Sequence, residues 1–395
     1  MPPWKLRIKG RLVPVTGLIA VVTGGLLLYF IVIFNLHRGP TTQEIMARAS
    51  DSSQKQLVPK VQTSLRPAPV TASDGFTCPK KYRIDLFVAV VTESYKNFYA
   101  VAQASVRCYL QSHPQYRLRL VDLDTDERVK KHCSHTQLFF RKHCAASVYL
   151  EDTDWLMVLD ADAGVVNPAH CLEEYIDESV DIIFYERFFN WEVAAGNYFV
   201  KNTPWAKKFL RRWADWQYEQ PENWNGADNG VLQLLLLKEL LPSNTPEIKM
   251  CDKVWRNGSG FDTYMRFVMC CKLALGARRV WDKIKIFRRA HGWVHDWYMT
   301  NDQWCASSFM FHGWKANTIG AGGWNSPFTR IMNESDCEPN AAWPWREERR
   351  ISCKEMQKLL KQSEASHAKG FPKIASKLTF LEETDIGDCW PNCQH

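Results

Sequence analysis

WLMVLDADAGVVNP, from Trp155 to Pro168, is the stretch that decides the fold. Trp155 to Leu159 is a short run without a polar group beyond the indole, as expected of a strand covered on both faces. It stops abruptly at Asp160-Ala161-Asp162-Ala163-Gly164, where Ala163 and Gly164 let the chain turn away from strand geometry. Working outward, RIDLFVAVVT (Arg83 to Thr92) reads as the first strand of the same sheet. Phe98, Val101, Ala102, Cys108 and Tyr109 then share one face at helical spacing, and RLRLVDLD (Arg117 to Asp124) reads as the next strand. A helical stretch from Gln137 to Tyr149 leads into the quoted strand, and VDIIFYE, starting at Val180, follows it. This alternation predicts an α/β fold, a mostly parallel sheet flanked by helices, whose ligands bind at the carboxyl ends of the strands. The acidic pair stands at such an end. Thr203 is placed to cap a helix with Pro204 in its first position, and Trp205, Phe209, Trp213 and Trp216 share one face of it, a stripe that suits a core.

Further out, Val13 to Phe34 is an uncharged apolar run of 22 residues, about 33 Å of helix at 1.5 Å per residue, enough to cross a bilayer. Lys5, Arg7, Lys9 and Arg11 precede it without an acid, which orients the short N-terminus to the cytosol. A cleaved signal peptide is the alternative, but its apolar core is shorter and ends in small residues. The expected organisation is a cytosolic tail (1–12), a transmembrane signal anchor (13–34) and a flexible Ser/Thr/Gln/Pro-rich stem (35–77). A globular domain (78–350) and a C-terminal extension (351–395) follow, the extension with an amphipathic stretch near Ile351 to Gln362 and a cysteine-containing tail. All 13 cysteines lie at or after Cys78, on the side of the anchor where disulfides persist, and their odd number leaves at least one thiol over. Cys389 and Cys393 suit a structural disulfide rather than a redox pair. Asn257-Gly258-Ser259 and Asn333-Glu334-Ser335 are glycan sequons. The net charge of +7, scattered apart from the N-terminal cluster, argues against nucleic-acid binding.

Two aspartates at a strand end can hold a hard cation while leaving coordination sites open for phosphate oxygens, so Mg²⁺ or Mn²⁺ is the expected ion. A cation there would neutralise a leaving diphosphate. A solvated turn is the plain alternative for an Asp-x-Asp.

With these residues in view, the chain resembles the type II membrane glycosyltransferases of GT-A fold, and WLMVLDADAGVVNP looks like the metal-binding strand of their retaining groups. YERFFNWEVAAGNYFVKN (Tyr185 to Asn202), NWNGADNGVLQ (Asn223 to Gln233), RRAHGWVHD (Arg288 to Asp296) and FMFHGWK (Phe309 to Lys315) resemble more closely a nematode-expanded family of unknown function. The likeness runs from about Ile84 to Arg349. It implies a GT-A domain that moves a sugar from a nucleotide sugar, UDP-linked rather than GDP-linked, to a glycan or glycoprotein with retention. It also implies a single-pass Golgi or ER membrane protein with its catalytic domain in the lumen.

Residue by residue, the resemblance gives Asp160, Asp162 and His312 to the metal. Lys315, Thr92 and either Arg141 or Lys142 join the two aspartates in binding the donor. Asp228 and Asn229 go to the reacting sugar, where Asp228 would stabilise oxocarbenium character or orient the acceptor hydroxyl. Plain alternatives are a satisfied core histidine for His312, a helix N-cap for Asp228 and an exposed helix charge for Arg141. His291, His295, Arg288 and Arg289 lie outside the general pattern and are candidates to shape a pocket, with ordinary core and surface use as the alternative. The 17 Trp suit stacking on sugars as well as core filling. Competing readings are a non-catalytic lumenal carbohydrate-binding protein of the same fold, and a sugar nucleotidyltransferase, against which anchor, sequons and cysteines count. The segment from Pro242 to Ile284, with Cys251, Cys270 and Cys271, has no counterpart in characterised relatives.

Overall fold

The structure is a computed structural model that describes residues 5–8, 11–14, 78–317, 319, 326–338, 342–370 and 385–391. The chain divides into two units, Met1–Leu65 and Arg66–His395. In the first, β1 (Lys5–Ile8) and β2 (Arg11–Pro14) form an antiparallel hairpin with Lys5 opposite Pro14. Val13 and Pro14 of the expected anchor thus lie in a strand; the rest of the anchor and the stem fall outside the described residues. Among the described residues no helix is long and apolar enough to cross a membrane.

The second unit is built on a six-stranded sheet of β3 (Ile84–Val90), β4 (Tyr116–Asp122), β5 (Trp155–Leu159), β7 (Ile182–Tyr185), β8 (Tyr198–Lys201) and β9 (Ile284–Phe287), in the order β4-β3-β5-β8-β7-β9. β3 pairs in parallel with β4 and β5, and β7 with β9; β8 runs antiparallel between β5 and β7. The sheet is mostly parallel, as the alternation of strands and helices predicts.

Successive residues of a strand point to opposite faces, and here both faces are covered. Phe87, Leu156, Val158, Ile182 and Phe184 pack on one side with α3 (Leu138–Tyr149), α4 (Pro204–Asp215), α5 (Ala227–Leu240), α6 (Pro246–Arg256) and α7 (Phe261–Leu275). Leu86, Val88, Trp155, Met157, Leu159 and Phe199 pack on the other with α1 (Ala100–Ser112) and residues of a second, small sheet. Double coverage is why β3 and β5 are apolar at nearly every position. A short helix, α2 (Glu127–His132), precedes α3, and Asp126 caps it by accepting from Val129 N.

The small sheet joins β6 (Gly164–Val165), β10 (Val294–Asp296) and β11 (Met310–His312) in the order β10-β11-β6. β11 runs antiparallel to β6, with Phe311 opposite Gly164, and parallel to β10, with Asp296 opposite His312. This sheet carries His312 to the acidic turn after β5. Gly164 tolerates no side chain there, since a Cβ would lie 2.5 Å from the Trp314 ring.

Thr203 caps α4 by accepting from Ala206 N, with Pro204 next, and Phe209, Trp213 and Trp216 are buried in the core. The amphipathic stretch is α8 (Cys353–Gly370), which buries Met356 and Leu360 beside Ile386 and Trp390 of the tail. Disulfides join Cys78 to Cys171, Cys108 to Cys337, Cys133 to Cys144, Cys251 to Cys270 and Cys305 to Cys353. Cys389 is also disulfide-bonded, and Cys271 is a buried thiol. The Cys251–Cys270 bridge ties α6 to α7, so the segment from Pro242 to Ile284 is a helical pair docked on α5 through the shared core.

Candidate active site

Where β5 ends, the backbone turns back so that Ala163 N donates to Asp160 O at 3.0 Å, and both carboxylates reach the same side. Three groups hold that turn. Asp160 N donates to Asn197 Oδ1 (3.0 Å), Gln103 Nε2 from α1 donates to Ala161 O (2.9 Å), and Trp314 N donates to Asp162 O (2.9 Å). The last bond fastens the strand end of β11 to the turn, and Gly313, at φ 90°, makes the bend that permits it.

His312 Nε2 lies 3.4 Å from Asp160 Oδ2 and 3.4 Å from Asp162 Oδ1. Ligands at right angles around one small divalent ion stand about 3 Å apart, so the three side chains fit a common cation. Two carboxylates and an imidazole also suit Mn²⁺ or Mg²⁺ chemically. His312 Nδ1 donates to Asp296 Oδ1 at 2.8 Å, leaving Nε2 to face the carboxylates. Burial works against the imidazolium, but Asp162 and the hydrogen bonds to Asp160 and Asp296 outweigh it and raise the His312 pKa. Burial would likewise raise Asp160 and Asp162; the charge of Lys142 on the first and of His312 on the second holds both below the usual carboxylate range.

Lys142 of α3 is buried, with Nζ 3.0 Å from Asp160 Oδ1 and 3.4 Å from Asp228 Oδ2. Burial opposes its charge, and Asp160 and then Asp228 more than compensate. Lys315 Nζ reaches Asp162 Oδ2 from the opposite side at 3.2 Å. Tyr99, in the π-helical turn Tyr95–Tyr99 after β3, lies in the field of Lys315 and Asp162, and Ala316 N closes this edge by donating to Phe98 O at 2.9 Å.

Asp228 stands in the first turn of α5, but Gly226, at φ 75°, holds the N-cap position. Asp228 Oδ1 accepts from Asn229 N at 3.0 Å, and its Oδ2 points at Lys142 and His143. His143 Nε2 donates to Asp228 Oδ2 (3.1 Å) and its Nδ1 accepts from Tyr198 OH (2.9 Å), with the ring stacked on Trp213 at 3.5 Å. Burial, ahead of the charge of Lys142, pushes His143 down to about 4, so the ring is neutral. Burial would raise Asp228, yet Lys142 and the His143 hydrogen bond lower it and keep it ionised.

Asp160, Asp162, His312, Lys315, Lys142 and Asp228 thus form one contiguous cluster. Asn229 turns away from it, its Oδ1 accepting from Ala195 N at 3.0 Å, and so fixes the loop whose Gly196 backs onto Asp160. Arg141 and Thr92 make their side-chain bonds to other residues. Arg141 pairs with Asp124 at 3.0 Å, while the Thr92 amide and hydroxyl both donate to Asp122 at the end of β4. Arg289 binds Asp385, Glu364 and Phe188 O and so anchors the C-terminal tail, while His291 Nδ1 donates to Arg289 O. His295 is buried, which brings it down to about 4. Sequence reasoning missed Asp296 and His143. The first sits in the quoted RRAHGWVHD and the second directly follows Lys142, but neither spacing reports its partner.

Among solved structures, the chain is similar to a glycosyltransferase involved in glycosylation of the major capsid of PBCV-1, at 12% identity and TM-score 0.34, over 58% of this chain and 92% of that one. It is also similar to the mannosyltransferase PcManGT from Pyrobaculum calidifontis in complex with GDP-Man and Mn²⁺, at 11% identity and TM-score 0.24, over 57% and 75%. No curated protein matches it. Residues 106–322, more than half of the chain and the run from within α1 past Lys315, match the family described as "Protein of unknown function, DUF273", and the chain belongs to that family.

Proposed function

We propose that the chain is a metal-dependent glycosyltransferase that moves a sugar from a nucleotide sugar, UDP-linked by preference, to a glycan or glycoprotein with retention. The observation that carries this reading is the convergence of Asp160, Asp162 and His312 on one cation-sized position at the carboxyl end of a central strand. Mn²⁺ or Mg²⁺ held there would neutralise the diphosphate of the donor as the sugar leaves.

The chain's own residues supply the remainder. Lys315, exchanging Asp162 for a phosphate oxygen, adds positive charge at the leaving group. Asp228, kept ionised by Lys142 and His143, presents a fixed negative charge to a sugar ring that becomes cationic, or accepts a hydrogen bond from the acceptor hydroxyl. Lys142 is engaged by two carboxylates and orients them. Asn229, through Ala195, keeps the Gly196 loop against Asp160.

The apolar run from Val13 to Phe34, the preceding cations and the disulfides are the basis for placing the enzyme as a type II protein in the Golgi or ER membrane, its domain in the lumen. The test is nucleotide release by the purified chain against a panel of nucleotide sugars, with Mn²⁺ or with EDTA. One donor should turn over with metal alone, and Asp162→Ala and His312→Ala should abolish it. Sugar binding without release of nucleotide from any donor would mark a non-catalytic carbohydrate-binding protein instead.

A further inference from the structure

Behind His312 runs a buried line of groups of alternating charge. His312 Nδ1 donates to Asp296 Oδ1 at 2.8 Å, and Arg187 NH2 donates to the same oxygen at 3.1 Å. Burial, and then the negative charge of Asp296, raises the Tyr298 hydroxyl pKa. Arg187 NH1 stands 3.7 Å from Glu192 Oε2, and Glu192 in turn accepts from Asn190 Nδ2 and from the Tyr264 hydroxyl of α7. Only 9% of the Asp296 side chain and 4% of the Glu192 side chain is exposed, so these charges are held out of water.

We infer that Asp296, fixed from behind by Arg187, is the positioning residue that aims His312 Nε2 at the cation position. This rests on the metal reading above. The backbone sets the pairing: β10 and β11 run parallel with Asp296 and His312 in register, so the two side chains are neighbours at the strand ends. With a cation in place, accepting from Nδ1–H selects the tautomer whose Nε2 lone pair faces that cation, and it stops the ring rotating about Cβ–Cγ. Arg187 is needed because one oxygen cannot direct a ring unless the carboxylate is itself immobile, and Arg187 removes its freedom. Fold stability is a poor explanation of the arrangement, since a buried ion pair repays its desolvation only partly.

The test is Mn²⁺ titration of the full chain, followed by electron paramagnetic resonance of the free ion, with metal-free thermal unfolding measured in parallel. Asp296→Ala should weaken Mn²⁺ binding by roughly ten- to a hundredfold. Asp296→Asn, which still accepts from Nδ1–H, should restore most of the affinity. Arg187→Gln, which leaves that hydrogen bond but loosens its acceptor, should fall between them, and it decides the matter where Asp296→Ala fails to fold. Wild-type affinity in Asp296→Ala or Arg187→Gln, or equal losses in Asp296→Asn and Asp296→Ala, would overturn the positioning role while leaving the metal site intact. Absence of Mn²⁺ binding by the wild type would instead overturn the metal reading and this inference with it.

Discussion

Gly196 lies flush against Asp160: a Cβ on the glycine would stand 1.9 Å from Asp160 Oδ2, the oxygen that faces His312. Gly196 is not at positive φ, so the backbone accepts alanine and the collision alone is decisive. Gly196→Ala should swing the carboxylate off its position and weaken Mn²⁺ binding at least about tenfold, as misplacing a ligand does. Calorimetric titration with Mn²⁺ checks this, and unaltered affinity would show that Asp160 is not a ligand through that oxygen.

Lys142 is the shared counter-ion of Asp160 and Asp228, and methionine in its place would leave two carboxylates without their cation. Removing one partner from a buried pair costs roughly 3–5 kcal/mol, so Lys142→Met should lower the urea midpoint strongly. Arg141→Met removes a charge whose partner Asp124 is largely exposed, and should cost less than Lys142→Met. Equal losses from the two variants would contradict the assignment of Lys142 to the site.

His143 gives stability a pH dependence whose sign follows from its environment. Its pKa falls from 6.5 to about 4 on folding, so between those values the unfolded chain binds the extra proton. Its contribution is therefore complete above about pH 6.5 and is lost as pH falls toward about 4, with a slope of at most about 1.4 kcal/mol per pH unit. Denaturation at pH 7 and pH 5 should show a smaller pH effect in His143→Gln than in the wild type. A variant with the wild-type slope would mean the ring is not buried neutral.

Cys251 and Cys270 close a loop across α6 and α7 with a sequence separation of 19. Loop-closure entropy puts its value at about 3 kcal/mol. The double serine variant should lose about that much in urea denaturation, with Mn²⁺ affinity retained because the bridge joins α6 to α7 and neither cysteine is among the groups that hold the acidic turn.

The parts of the site that were legible in the sequence are local ones. Asp160 and Asp162 declare themselves because a buried strand stops at them, and Thr203 with Pro204 declares a helix start. Asp228 is open to an N-cap reading, but the left-handed Gly226, two residues earlier, takes that position, and Asp228 Oδ2 is left for Lys142 and His143 while Oδ1 accepts from Asn229 N. Arg141 and Lys142 are adjacent on one helix and about 100° apart around it, so which of them enters the site depends on the rotation of α3 against the sheet. Asp296 had no signal of its own, because its role arises from the register of β10 on β11. His312 was reached through resemblance, since nothing near it in sequence points to the aspartates.

The most direct test of the central claim is titration of UDP and of GDP into the full chain, with Mn²⁺ and with EDTA. The account predicts saturable binding of one nucleoside diphosphate that requires the metal and weakens at least about tenfold in Asp162→Ala and in His312→Ala. Binding of equal strength in EDTA, or no binding of either nucleotide with Mn²⁺ present, would contradict it.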